Sequence, residues 1–220
     1  MKAVIFDLDN TLYDAEQYFS GAFDILSKYL SEKYKISRQK IYKKLMEIWK
    51  KKTSMYPYLF DDLLSFFKID KEEVSNLVKL FNDFECKITP YPDVVPTLTT
   101  LKEKKCKLAL VTDGNRERQE KKVRSLGIYH FFDIIVYAKA IKSKPSSLPY
   151  MKALKKLDVV PSETFYVGDN PLVDFEGAKK AGMKTIRILR GEFKKFPKNM
   201  YIDFEVKDLI DVLKLLGEHE

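Results

Sequence analysis

The spacing of apolar residues differs between two parts of this chain. Between residues 15 and 90, apolar residues recur every three or four positions, as they do on one face of an amphipathic helix. This pattern predicts helices near residues 19–30, 41–49, 59–67 and 72–84. We find no convincing strand pattern in the same block. We therefore expect residues 15–90 to form a small all-helical domain.

Short apolar runs and helical patterns alternate in the rest of the chain. The runs predict strands at residues 3–6, 107–112, 133–137, 164–168 and 184–189. Helices are predicted at residues 116–126, 148–157, 174–181 and 209–216, and the proline-containing segment 89–100 is a linker that becomes a helix. Strands separated by helices of this length are typical of a parallel sheet. The sequence thus predicts an α/β fold, with a Rossmann-like parallel sheet core (residues 1–14 and 91–220) and an inserted all-helical cap domain (residues 15–90).

Polar residues stand where these predicted strands end. They are Asp7, Asp9, Thr112, Asp113, Lys144, Asp169 and Asp174. In open parallel sheets the ligand binds outside the carboxyl ends of the strands. We therefore expect these side chains to surround one site.

The residue types at these positions point to phosphoryl chemistry. Asp7 and Asp9 repel each other at the end of a buried strand, so a bound cation is the obvious compensation. Several carboxylates around one cavity suit Mg²⁺, and a lysine and a threonine beside the metal suit a phosphoryl group. No Ser-His-Asp or Cys-His pairing is available. The expected nucleophile is therefore a carboxylate, which can form an acyl-phosphate.

Composition and charge exclude several other classes of protein. The net charge is +8, but the lysines lie in short groups along predicted helix faces and form no nucleic-acid-binding motif. We expect no nucleic-acid partner and a modest attraction for anionic substrates. No apolar run reaches the length of a membrane helix, and Asp7 interrupts the N-terminal run, so neither a membrane span nor a signal peptide is expected. Two cysteines provide no disulfide framework, which favours a cytoplasmic protein.

Four short motifs occur in a fixed order along the chain. They are DLDNT at residues 7–11, LVTDG at 110–114, SKP at 143–145 and GDNPLVD at 168–174. With these motifs the chain resembles the haloacid dehalogenase superfamily of phosphohydrolases over essentially its full length. Each motif alone is weak, but four in this order, each after a predicted strand, make a strong signal.

The resemblance implies a role for each residue of the motifs. Asp7 attacks phosphorus and becomes an aspartyl-phosphate, while Asp9 protonates the leaving oxygen and then activates the hydrolytic water. Thr112 and main-chain N–H groups near Asp113 bind the phosphoryl oxygens. Lys144 bridges the phosphoryl group and Asp7.

The resemblance also implies a metal site. Mg²⁺ is held by the side chains of Asp7 and Asp169 and by the main-chain carbonyl of Asp9, and Asp174 supports the metal-bound waters or the neighbouring lysine. The implied activity is Mg²⁺-dependent hydrolysis of a small phosphate monoester. The sequence departs from the family after the lysine motif, where Tyr150 stands at a position that is more often phenylalanine.

Two alternatives remain beside the hydrolase interpretation, a mutase and a non-enzymatic binding protein, and a third, a dehalogenase, is disfavoured. Hydrolytic dehalogenases of this superfamily have no acidic residue at the position of Asp9, which argues for phosphoryl transfer. A phosphosugar mutase retains all four motifs. A non-enzymatic binding protein that keeps the fold is expected to lose one of the motif residues, and none is missing.

The substrate and the oligomeric state are not readable from the sequence. The helical domain is expected to fold over the sheet edge as a lid, which favours a small phosphorylated metabolite such as a sugar phosphate, phosphoglycolate or a nucleoside monophosphate. Candidate substrate contacts are Lys52 and Tyr56 in the helical block and Tyr13 at the expected hinge.

Overall fold

The computed structural model describes residues 3–217 of the chain and divides it into two compact units. The first unit, called here the sheet unit, contains residues 3–15 and 87–217. The second, the helical unit, is Glu16–Cys86. Within residues 3–217, no helix combines the length and the apolar character that crossing a membrane requires.

The sheet unit contains one parallel sheet with strand order β3-β2-β1-β4-β5-β6. The strands are β1 Ala3–Phe6, β2 Lys107–Thr112, β3 Ile134–Tyr137, β4 Thr164–Gly168, β5 Lys184–Ile188 and β6 Phe204–Val206. Strand β1 is central and wholly buried, as expected for an apolar run in a parallel sheet covered on both faces. Because Phe6 pairs with Leu110 of β2 and Val167 of β4, the residues after these three strands share one edge.

Helices lie in the connections between strands β1 to β5, and a last helix follows β6. In the helical unit they are α1 Glu16–Tyr34, α2 Arg38–Lys52, α3 Leu59–Phe66 and α4 Glu73–Asp83. In the sheet unit they are α5 Val94–Glu103, α6 Arg116–Ser125, α7 Leu148–Leu157, α8 Phe175–Lys180 and α9 Leu209–Gly217. Short 3-10 turns occur at Tyr129–Phe131, Ala138–Ala140 and Pro161–Glu163.

The predicted α/β fold class with its parallel sheet is confirmed. Strands β1, β2 and β4 and helix α7 have the predicted bounds, and most other ends differ by one to three residues. Strand β6 was not predicted, because three residues at the sheet edge are too short to show a pattern. Side chains support this strand, since the Thr185 amide donates to Asp203 (2.8 Å) and the Asp203 amide donates back to the Thr185 hydroxyl (3.0 Å).

A hydrophobic core holds the four helices of the helical unit together. Its buried members include Phe23, Leu26, Leu30, Ile41, Leu45, Trp49, Leu63 and Leu77. Phe19 stacks on Trp49 with ring centroids 5.0 Å apart. These are the residues that recur every three or four positions in the sequence, so the amphipathic pattern is satisfied within the unit.

One carboxylate in this unit is buried among polar donors. Glu73 is 4% exposed and accepts hydrogen bonds from the Tyr29 and Tyr34 hydroxyls, from Lys33 Nζ (2.6 Å) and from Asn76 Nδ2 (2.9 Å). Burial alone raises the pKa of Glu73, but the hydrogen bonds from Lys33, Tyr29 and Tyr34 outweigh it and lower the pKa to about 2. The ionised carboxylate therefore links helices α1 and α4.

We expect Glu73→Gln to destabilise the helical unit by about 2 kcal/mol near neutral pH, because a neutral amide accepts these hydrogen bonds less strongly. A depressed pKa contributes stability above the ordinary value of 4.5 and loses it as the pH falls toward 2. Denaturant unfolding followed by the fluorescence of Trp49, the chain's single tryptophan, measures the difference at pH 7 and pH 3. A wild-type advantage that is the same at both pH values contradicts this account, and the exposed Glu32→Gln is the control.

Candidate active site

The chain turns sharply at Leu8, the second residue after β1. The Asp7 amide continues the ladder by donating to the Val167 carbonyl (2.8 Å). The amides of Thr11 and Leu12 then donate back to the Leu8 carbonyl, at 3.3 and 3.0 Å. The strand ladder therefore ends at Asp7, and Asp9 lies within the turn that follows, between Leu8 and Leu12.

Lys144 joins the ends of two strands at the centre of the site. Its Nζ donates to Asp7 Oδ1 and to Asp174 Oδ1, both at 2.6 Å, and lies 3.3 Å from the Tyr166 hydroxyl. All four side chains are buried. The Lys144 amide also donates to Asp113 Oδ2 (2.9 Å), which fixes the lysine loop to the end of β2. The lysine is therefore held by both its backbone and its side chain.

Two glycines allow this close packing. A Cβ at Gly168 would lie 2.6 Å from Asp174 Oδ2, and a Cβ at Gly177 would lie 2.5 Å from the Pro145 carbonyl oxygen. Any side chain at either position would push α8 or the lysine loop away. The close approach of Asp174 therefore explains why a glycine begins the GDNPLVD motif.

Three carboxylates form a compact acidic cluster beside the lysine. Oxygens of Asp7, Asp169 and Asp174 lie within 4.8 Å of one another. Burial raises the pKa of Asp7 to about 7 even though Lys144 lowers it, and burial together with Asp174 and Asp7 raises the pKa of Asp169 well above its usual range. Lys144 therefore does not offset the effect of burial on Asp7 and Asp169.

The donor set of this cluster fits a hard divalent cation. Both oxygens of Asp174 are engaged, Oδ1 by Lys144 and Tyr166 and Oδ2 by the Asn170 amide. By contrast, Asp169 is 3% exposed, and its Oδ2 accepts no hydrogen bond from any residue that the structure describes. A buried carboxylate oxygen that accepts no hydrogen bond and lies near other carboxylates is suited to bind a cation.

Asp9 lies among three donors, which come from Tyr13 and from helix α6. Its Oδ1 accepts from the Tyr13 hydroxyl and from Lys122 Nζ (2.7 Å), and its Oδ2 accepts from Gln119 Nε2 (2.9 Å). Burial raises the pKa of Asp9, but Lys122 and the hydrogen bonds outweigh it and lower the pKa to about 2. These contacts favour the ionised form of Asp9, which accepts hydrogen bonds through both oxygens.

Thr112 ends β2 beside these groups. Its Oγ1 accepts from Gln119 Nε2 at 2.6 Å, and the residue is 1% exposed. Asn115 then caps helix α6 by accepting from the Arg118 amide (3.0 Å). Because this cap starts α6 soon after β2 ends, the first turns of the helix lie near the carboxyl end of the sheet.

The structure brings the predicted motif residues of the sheet unit together. Tyr13 lies there too, fully buried, and its hydroxyl donates to Asp9. A contact between Tyr13 and substrate stays a prediction. Lys52 and Tyr56 belong to the helical unit, where the lysine Nζ lies 5.2 Å from the tyrosine ring and the tyrosine hydroxyl donates to Asp62 (2.8 Å). Their role in substrate selection likewise stays a prediction.

Sequence reasoning did not identify four residues as contacts of the motif residues. They are Gln119, Lys122, Tyr150 and Tyr166. Tyr150 uses the hydroxyl that distinguishes it from phenylalanine, donating to the Asp174 carbonyl at 2.6 Å. The only available signal was position, since Gln119 and Lys122 lie three residues apart just after the threonine motif.

Comparison with known proteins agrees with this geometry. The family model described as haloacid dehalogenase-like hydrolase matches residues 4–188. The chain belongs to this family. A glyceraldehyde 3-phosphate phosphatase from Methanopyrus kandleri is 36% identical, and the match covers 99% of each chain. The pyrophosphatase PpaX from Halalkalibacterium halodurans is 31% identical over 99% of this chain and 97% of its own. A crystal structure of a HAD phosphatase from Thermococcus onnurineus aligns with a TM-score of 0.71 and 26% identity, covering 99% of this chain and 98% of that one.

Family membership and full-length relatives define the enzyme class. This haloacid dehalogenase-like protein is a phosphatase, a hydrolase of phosphoric monoesters. The predictions of family, fold class and enzyme class are confirmed.

Proposed function

We propose that this chain is a Mg²⁺-dependent phosphatase that hydrolyses a small sugar phosphate through an aspartyl-phosphate at Asp7. One observation carries the proposal. The buried Lys144 Nζ lies 2.6 Å from Asp7 Oδ1, beside the open carboxylate oxygen of Asp169. A carboxylate suited to be the nucleophile, a lysine held beside it and a buried carboxylate oxygen suited to bind a metal thus occur together at the carboxyl ends of the strands.

Asp7 is the proposed nucleophile because it combines burial with a charged neighbour. One of its oxygens attacks phosphorus, the bond from phosphorus to the ester oxygen breaks, and that oxygen leaves with a proton. Lys144 lowers the pKa of Asp7 and therefore favours the ionised, nucleophilic form. Its charge also balances the phosphoryl oxygens that approach.

Thr112 and Asp113 contribute to phosphate binding in different ways. Since the Thr112 oxygen already accepts from Gln119, its own hydroxyl proton is available for a phosphoryl oxygen. The Asp113 side chain accepts from the Lys144 amide, so it keeps the lysine loop against the β2 end. The proposed phosphate contact at Asp113 is its main-chain N–H.

Asp9 is the proposed acid and base. It protonates the leaving oxygen in the first half-reaction and takes a proton from water in the second. The three donors around its carboxylate stabilise the proton-accepting form and so support the second role. The first role requires Asp9 to take up a proton before the ester oxygen leaves.

The acidic cluster supports a magnesium site. The side chains of Asp7 and Asp169 and the Asp9 carbonyl would hold the ion, while Asp174 acts through Lys144. Bound Mg²⁺ supplies positive charge that neutralises the carboxylates and the phosphoryl oxygens. A hard cation bound by few protein oxygens fits this donor set.

The names of the relatives support two candidate substrates for this chain. A protein named glyceraldehyde 3-phosphate phosphatase matches this chain over its full length at 36% identity, which supports a triose phosphate within the expected class of small sugar phosphates. The pyrophosphatase PpaX matches at 31% identity, so pyrophosphate is the second candidate. Lys52 and Tyr56 remain the proposed selecting residues of the helical unit.

Phosphate release from a panel of esters tests the proposal. We expect glyceraldehyde 3-phosphate to be hydrolysed with the highest kcat/KM, ahead of phosphoglycolate, nucleoside monophosphates and pyrophosphate. EDTA should lower the rate at least about 10²-fold, and added Mg²⁺ should restore it, because the cation neutralises the buried carboxylates. Full activity in EDTA, or no activity on any ester with Mg²⁺ present, contradicts the proposal.

A further inference from the structure

Helix α6 sends two polar side chains into the interior beside Asp9. Gln119 and Lys122 lie one helical turn apart, and their residues are 0% and 4% exposed. Burying an amide and an ammonium group is costly unless both are hydrogen-bonded. The Asp9 carboxylate gives Lys122 an ionic partner at this depth.

The contacts of these two residues fix Asp9 at both oxygens. Lys122 Nζ is 2.7 Å from Oδ1, and Gln119 Nε2 is 2.9 Å from Oδ2. The same amide nitrogen is 2.6 Å from Thr112 Oγ1. Two donors on different oxygens restrict rotation of the carboxylate, and the shared amide sets its distance from the phosphate-binding threonine.

We propose that Gln119 and Lys122 are positioning residues that orient the Asp9 carboxylate for hydrolysis of the aspartyl-phosphate, an inference that rests on the proposed function. In that step the oxygen of water bonds to phosphorus while the bond from phosphorus to the Asp7 oxygen breaks. One proton of the water passes to Asp9. Asp7 returns as a carboxylate, and inorganic phosphate leaves.

This role separates the two half-reactions. An aryl phosphate with a good leaving group needs little protonation of that group, so phosphorylation of Asp7 proceeds even when Asp9 is misplaced. Hydrolysis of the intermediate still needs a base aligned with water. Loss of positioning should therefore slow the second step and leave the first largely intact.

Rapid mixing of Lys122→Met with p-nitrophenyl phosphate and Mg²⁺ tests the inference. We expect a burst of nitrophenolate close to one per enzyme, followed by a steady-state rate about 10²-fold below wild type, the usual scale of general-base assistance. Gln119→Leu should behave alike, and Lys122→Arg should recover much of the steady-state rate. Lys156→Met, an exposed lysine of α7, is the matched control and should resemble wild type.

The burst amplitude distinguishes positioning from general damage. A variant that folds poorly loses burst amplitude and steady-state rate together, and that result overturns the inference, as does an unchanged steady-state rate. If the wild type turns over p-nitrophenyl phosphate but Lys122→Met shows no burst, this inference alone is overturned. Failure of the wild type to release nitrophenolate overturns the proposed function together with it.

Discussion

Replacing Asp7 with asparagine is expected to lower kcat for phosphate monoesters by at least about 10³-fold. The amide of asparagine is a poor nucleophile and cannot form the aspartyl-phosphate. The change is close to isosteric, and an amide oxygen can still accept from Lys144, which also retains Asp174. We therefore expect the variant to fold and to lose its chemistry.

Steady-state phosphate release with Mg²⁺, on wild type and Asp7→Asn in parallel, measures the effect. Asp158→Asn is the matched control, since this exposed residue at the end of α7 lies outside the proposed machinery and should keep wild-type activity. Retention of more than about a tenth of wild-type kcat by Asp7→Asn contradicts the assignment of the nucleophile.

Replacing Lys144 with methionine is expected to have the second-largest effect. The ammonium group contacts both Asp7 and Asp174, so its loss leaves two buried carboxyl groups without their cation. The pKa of Asp7 rises further when Lys144 no longer lowers it, and the protonated acid cannot attack phosphorus. Loss of phosphoryl stabilisation adds to this, and we expect kcat/KM to fall about 10²- to 10³-fold.

The same variant should also lose stability. Removing one partner of a buried ion pair costs about 3 to 5 kcal/mol, because the remaining charge is buried and unpaired. Denaturant unfolding in EDTA measures this cost. Lys142→Met, an exposed lysine two residues earlier in the same loop, is the control and should match wild type in activity and stability. A Lys144→Met enzyme with wild-type kcat/KM contradicts the proposed role.

The sheet and its acidic edge could be predicted because burial leaves a simple record in the sequence. A strand covered on both faces must be apolar throughout, as Ala3–Phe6 is, so charges at Asp7 and Asp9 are conspicuous where it stops. The carboxyl ends of parallel strands meet at one edge. This rule was sufficient to bring together Thr112, Lys144 and Asp169 from distant parts of the chain.

The hydrogen bonds from Gln119 and Lys122 to Asp9 could not be predicted from the sequence. Helix α6, Arg116–Ser125, contains a single apolar residue, Val123, so hydropathy does not indicate which face is buried. Gln119 and Lys122 are buried because they donate hydrogen bonds to Asp9, and Gln119 also to Thr112. These acceptors come close to α6 only in the folded protein.

Tyr13 illustrates the same limit from the opposite direction. Its place at the expected hinge predicts a contact with substrate, which stays a prediction. In the structure its ring is buried and its hydroxyl donates to the Asp9 carboxylate. This hydrogen bond depends on the folded turn, so the sequence position alone does not reveal it.

Chemical trapping of the intermediate tests the central claim most directly. Wild-type enzyme turning over glyceraldehyde 3-phosphate with Mg²⁺ is quenched into sodium borohydride, which reduces an aspartyl-phosphate to homoserine, and the peptides are mapped by mass spectrometry. We expect homoserine at position 7, dependent on substrate and absent in Asp7→Asn. Product formation without modification of Asp7, or with modification of another carboxyl group instead, would contradict the account.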